Sequence, residues 1–309
     1  MKLVLLWIPL LIISMVGSTD HTPIPLNNVV DGQAIQVPQD ISDSTNLKSA
    51  IKAWITVLSD ETGFDAWKKA KWESLPVGPG THSWLVVIRK DSLEVGYLIV
   101  GAMEDGKHYK LLEYGLGPQP LFSFNTLYQS MMQQALIDQS FTLADFTIDT
   151  SWLKERFILN TLENFWRVSY GSEVYYFDGK TGEKLITVNQ LDNSAQLLNS
   201  RASTEVITNL SSSQLKESIV TPAYDPFEKL SWVKGNPLKV KTLADLKLAI
   251  KAHPKLTYMS KLYNHSVIHP FALTGYQLWN GDQIYIALDD EGARYLPLSS
   301  LLEAGAFYP

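Results

Sequence analysis

Four groups of side chains in this sequence could do chemistry. Glu94, Glu104, Asp105 and Glu113 fall on or beside a series of short apolar runs. Two carboxylates facing each other across a cleft would suit glycoside hydrolysis, one as acid and the other as nucleophile or base. His265 and His269 stand four apart, the spacing of a zinc-binding pair on one helix face. Ser266 occupies the position where zinc hydrolases carry Glu, and Val267, Ile268 and Pro270 are poor helix formers, so the pair reads as ordinary surface or core-edge histidines. Ser123 ends a Pro-Gly-rich loop that could present a nucleophile. It also precedes a helical pattern, and capping is the reading adopted. There is no G-x-S-x-G elbow and no S-x-x-K with its partner motifs. The fourth group is aromatic. Trp84, Tyr97, Tyr109 and Trp279 lie on alternating strand patterns, where an outward ring could stack on a glycan or anchor a peptide and an inward one would fill the core.

Those residues are carried by recognisable elements. Leu47, Ala50, Ile51, Trp54, Ile55 and Leu58 form the apolar stripe of a helix starting near Thr45. Strands are expected at 84–89, 95–102 and 109–114, with Glu104-Asp105-Gly106 as a turn, which makes an antiparallel meander. A helix follows over 125–137 and another over 152–162. Strands at 165–170 and 174–177 flank Gly171-Ser172, and a third at 183–188 follows Asp178–Gly182. Residues 191–225 turn rich in Ser, Asn and Gln and read as a linker. Beyond it, Thr242 and Asp245 have the spacing of a helix N-terminus. Strands at 275–278 and 283–288 flank Asn280-Gly281, a strong hairpin signal. A further strand at 294–296 leads to Pro297 and a terminal helix, and the apolar tail Ala306–Pro309 is expected to dock. The fold class expected is α+β, with small antiparallel sheets each packed with helices in two or three modules. The expected regions are a signal peptide at 1–18, a linker at 19–44, an N-terminal α+β region at 45–190, the linker at 191–225 and a C-terminal α+β domain at 226–309.

Bulk properties narrow the function. The chain has 309 residues and a formal net charge of −6, which argues against nucleic acid and against an anionic membrane surface as partners. It has no cysteine, so disulfides, thiolate nucleophiles and a lipidated N-terminal Cys are all excluded. Lys2, an apolar run over 3–16 and the small residues Gly17-Ser18 make a secretory signal with cleavage after Ser18; an uncleaved anchor is the competing reading. Export without cysteine points to a bacterial chain that is secreted or held at the envelope, with no membrane span after residue 20. No cofactor is implied.

One segment carries a family likeness. Trp166-Arg167-Val168, followed by Tyr176-Phe177-Asp178-Gly179-Lys180-Thr181-Gly182-Glu183, resembles the closing hairpin of PepSY-type domains, the likeness lying within residues 164–188. It implies a helix packed on an antiparallel sheet and a binding or inhibitory role outside the cytoplasm. The expected function is therefore that of an exported, non-catalytic binding protein with a protein or peptide partner at the envelope. A cell-wall hydrolase without a recognisable motif and a cell-surface assembly factor are the alternatives.

Overall fold

Strands whose residues are apolar at every position, not every second one, need cover on both faces. Leu85, Val86, Val87 and Ile88 are such a run, and so are Leu98, Ile99 and Val100; all seven are buried. The computed structural model describes residues 41–78, 81–104, 106–185, 214–263, 267–280 and 283–309. The signal peptide, most of the first linker, Asp105, residues 186–213 and His265 lie outside these.

Among the described residues, the strands are β1 (Lys71–Val77), β2 (Ser83–Lys90), β3 (Leu93–Ala102), β4 (Tyr109–Leu116), β5 (Trp152–Ile158), β6 (Asn164–Tyr170), β7 (Glu173–Asp178), β8 (Leu215–Val220), β9 (Thr257–Leu262), β10 (Val267–Trp279), β11 (Gln283–Asp289), β12 (Ala293–Pro297) and β13 (Gly305–Tyr308). The helices are α1 (Ile41–Ser59), α2 (Phe124–Gln133), α3 (Leu143–Ile148), α4 (Ser231–Lys234), α5 (Leu243–Ala252) and α6 (Leu298–Ala304). Ten strands form one sheet in the order β1-β2-β3-β4-β12-β11-β10-β9-β13, with β8 beside β10. The remaining three form a second sheet, β5-β6-β7. Every pairing is antiparallel.

This architecture corrects the expected fold class. The structure is mostly antiparallel β, built on one large sheet, with few and mostly short helices; it is not a set of small sheets each packed with its own helices. The regions expected at 45–190 and 226–309 contribute strands to the same sheet. They meet where Tyr114 and Gly115 of β4 pair with Tyr295 and Arg294 of β12. Local patterns identify strands and hairpins, but a pairing between strands so far apart in sequence has no local signal. The helix expected over 152–162 is also corrected, to strand β5. Its run of good helix formers, Leu-Lys-Glu-Arg, is overridden by cross-strand packing. Trp152, Lys154 and Arg156 lie opposite Tyr170, Val168 and Trp166 of β6, and the charged ends of Lys154 and Arg156 stand over the rings of Phe146 and Trp166.

Both faces of the large sheet are covered. On one lies α1, whose Leu47, Ala50, Ile51, Trp54, Ile55 and Leu58 are all buried against residues such as Leu98, Tyr114, Trp279 and Tyr285. On the other, Val87, Tyr97 and Ile99 pack against α2, α3 and the small sheet through Leu127, Met131, Phe146, Trp166 and Phe177. A third core joins α5 and α6 to β9–β12 through Leu246, Leu298, Leu301, Tyr258 and Ile286. The docked tail is β13, with Phe307 buried against Tyr258. Thr242 and Asp245 form a full capping box at α5.

Gly275 shows how β8 gains its place. Its φ of +145° belongs to the region that favours glycine, and a Cβ there would stand 2.0 Å from the Ile219 carbonyl oxygen. The close approach lets β8 pair with β10 across residues 275–279.

Candidate functional site

Ionisable groups buried between apolar cores must be paired or hydrogen-bonded, because losing water costs several kcal/mol per ion. Such groups collect between the second and third cores, where β4, β12 and the small sheet come together. Arg294 is its centre. Its Nε donates to Glu113 Oε1 at 2.7 Å, its Nη1 to Asp290 Oδ2 at 3.0 Å, and its Nη2 to Glu113 Oε2 at 3.3 Å and to the Thr161 carbonyl at 2.9 Å. The Tyr97 hydroxyl donates to the same Glu113 oxygen that takes the Arg294 Nε–H. All three charged side chains are at most 6% exposed. Burial penalises the arginine's charge, but Glu113, Tyr97 and Asp290 outweigh it and hold the guanidinium well above its usual value. Burial first, then the Glu113 charge, pushes the Tyr97 phenol well up.

The Asp-Gly-Lys-Thr-Gly turn closes this seam from the small sheet. Asp178 Oδ1 accepts from the backbone N–H of Lys180 and Thr181, at 2.9 and 2.8 Å, an aspartate-bridged turn. The Lys180 side chain points inward and donates to the carbonyls of Gln119 and Glu291, at 2.5 and 3.2 Å. Burial lowers its ammonium pKa, with Asp290 partly offsetting that. Two buried cations, Arg294 and Lys180, thus balance two buried anions, Glu113 and Asp290.

The loop between β5 and β6 runs from this seam to the surface. Arg294 holds it through the Thr161 carbonyl. Asn160 Oδ1 accepts from the N–H groups of Leu162 and Glu163, both at 3.0 Å, and Asn160 Nδ2 donates to Glu163 Oε2 at 2.7 Å. The other Glu163 oxygen accepts from the Tyr263 N–H. Burial raises the Glu163 carboxyl above its ordinary value, and these two bonds partly oppose that. Asn160 and Glu163 help to line a groove of about 400 Å³, together with Met259, Lys261, Glu303 and Tyr308. Among the described residues, neither Lys261 nor Glu303 has an ion-pair or hydrogen-bond partner.

Of the residues singled out from sequence, Tyr97 and Glu113 belong to the seam, and the others do not join them as one surface. Trp279 is buried in the α1 core, its Nε1 donating to the Tyr114 hydroxyl at 3.1 Å. Tyr97 is buried in the seam. Tyr109 is buried, its ring edge-on to half-buried Trp84, with centroids 5.6 Å apart. Glu94 accepts from Arg89 Nη2 at 3.0 Å and Ser123 Oγ at 2.8 Å, Glu113 is locked to Arg294, and Glu104 is exposed. Ser123 is the N-cap of α2, as its position suggested. The groove was missed, and the seam was seen only as the separate residues Tyr97 and Glu113, because their members come from segments up to 181 residues apart. The one usable signal was a lysine in a turn whose geometry asks only for Asp and Gly.

The seam's carboxylates are paired with a buried arginine and are at most 6% exposed, whereas an acid or base must touch the proton that it moves. Among the described residues, no group of three or more His, Asp or Glu could hold a metal ion, and no helix is long and apolar enough to cross a membrane. No protein-family model matches the chain, and neither a curated protein nor a solved structure resembles it.

Proposed function

We propose that this chain is an exported, non-catalytic binding protein that takes a charged peptide segment of a partner protein into the groove beside β9 and β13. The observation that carries the reading is the pair Lys261 and Glu303, of opposite charge, lining one concavity, whose side chains have no partner among the described residues. Exposed charges of both signs at a rim give a partner its register and exclude like-charged competitors. The groove is open and mixed in character, which suits a polypeptide better than a small apolar ligand enclosed on most sides. The PepSY-like hairpin fits the same reading, since its first strand, β6, follows directly on the loop that lines the groove.

The test immobilises residues 19–309 and their K261E/E303K form against extracellular proteins and cell-wall material of the source organism. A single saturable protein partner retained by the first and lost, at least tenfold, by the second supports the proposal. Equal retention by both removes the groove from the reading, and release of wall fragments replaces binding with hydrolysis.

A further inference from the structure

Arg156, half-buried in the small sheet, has no ion-pair partner among the described residues. It lies on β5 opposite Trp166 and faces the second core. Its guanidinium carbon stands 4.7 Å from the centroid of the Trp166 ring and 5.0 Å from that of Phe124. These rings fix the plane of the guanidinium and replace part of its hydration by cation–π attraction. They accept none of its hydrogen bonds. Nε is buried without a partner, and among the described residues no carboxylate pairs with the group. The contrast with its neighbours is informative. Arg167, one strand over, is bound to Glu155 at 2.7 Å, and Arg89 to both Glu73 and Glu94. Burial draws the Arg156 guanidinium down to about 10, the nearby Glu73 charge only partly resisting, so it remains a cation at neutral pH.

A planar fork of donors, held flat by aromatic rings and lacking an acceptor, is preorganised for an oxyanion. We infer that Arg156 is the anchor of a carboxylate-binding site, which would take the acidic side chain or C-terminal carboxylate of a peptide. A planar carboxylate matches the fork in a bidentate pair. Its single charge also suits the surroundings better than a phosphate does, because Glu73 is close enough to act on Arg156 and the whole chain carries −6. This site does not depend on the groove at Lys261, and either can fail without the other.

The experiment follows the Arg156 Nε–Hε cross-peak of the full chain by NMR, adding sodium acetate, sodium phosphate or sodium chloride at matched ionic strength. Acetate should move that peak saturably, at lower concentration than phosphate does, while chloride leaves it in place. R156K keeps the charge and loses the fork, so the acetate response of the Trp166 indole N–H should weaken by about tenfold or more. E73Q removes a neighbouring anion and should tighten acetate binding several-fold. The wild-type titration needs no variant, so a misfolded R156K would not protect the idea. A peak that ignores acetate, or moves equally with chloride, overturns the site. Tighter binding of phosphate overturns its assignment to carboxylates.

Discussion

Arg294 makes four hydrogen bonds in a place that water does not reach, and that fixes what its loss should do. Arg294→Met leaves Glu113 and Asp290 buried without their main partner, a situation that costs about 3–5 kcal/mol. Urea unfolding should show a loss of that size. Replacing the pair together, as Glu113→Leu and Arg294→Met, leaves Asp290 to balance the buried Lys180 and should recover most of it, because the penalty belongs to the orphaned charges and not to the missing attraction. A single substitution costing under about 1 kcal/mol would mean that solvent enters the seam. The same change frees the Thr161 carbonyl, so the loop carrying Asn160 and Glu163 should also lose amide-exchange protection.

At the scale of the element, β8 is an edge strand. Among the described residues it pairs with β10 alone, and that pairing depends on the close approach at Gly275. Gly275→Ala places a methyl group against the Ile219 carbonyl in a backbone conformation that costs an alanine about 1–3 kcal/mol. Hydrogen exchange should then accelerate at the β8 amides while those of β2 and β3 stay protected. Loss of protection across the whole sheet would instead make β8 an integral part of its folding unit. Elements were also the scale most legible in the sequence. The stripe of α1, the meander β2–β4, the hairpin β6–β7, the capping box of α5 and the docking of the tail all rest on contacts within a few dozen residues. β5 was misread because Leu-Lys-Glu-Arg favours a helix in isolation, and only Trp166 and Phe146 reveal why it is extended. The groove was illegible for another reason. Its lining residues come from the β5–β6 loop, β9 and the chain end, and nothing in any one of them marks it as part of a concavity.

For the molecule as a whole, buried phenols set the alkaline limit. Tyr97 and Tyr114 are pushed well above 10 chiefly by burial, and Tyr295 is pushed up to about 12. In the unfolded chain these groups release their protons near pH 10, while the folded protein keeps them. Their contribution to stability is therefore complete below about pH 10 and is lost as pH rises through the folded values, at about 1.4 kcal/mol per pH unit for each phenol. Lys180 acts in the opposite sense. Its lowered ammonium penalises the fold at neutral pH, and that penalty eases as pH approaches 10.5. Several phenols outweigh the partly or fully buried lysines and should give a cooperative alkaline transition above pH 10, in which tyrosinate absorbance and loss of near-ultraviolet circular dichroism coincide. Tyrosinate appearing gradually in a still-folded protein would contradict the burial of these rings.

The junction of β4 with β12 has a consequence in time. Two residue pairs stitch the halves of the sheet, joining Tyr114 to Tyr295 and Gly115 to Arg294. The meander β1–β4 is complete long before β12 leaves the ribosome, so during synthesis the β4 edge stands open, with unpaired N–H and C=O groups and the Tyr114 ring uncovered. An open strand edge is a template for any other strand. Nascent chains of this protein should be most prone to stick to one another in that interval, and non-local closure of this kind places refolding in the slow, millisecond-to-second class.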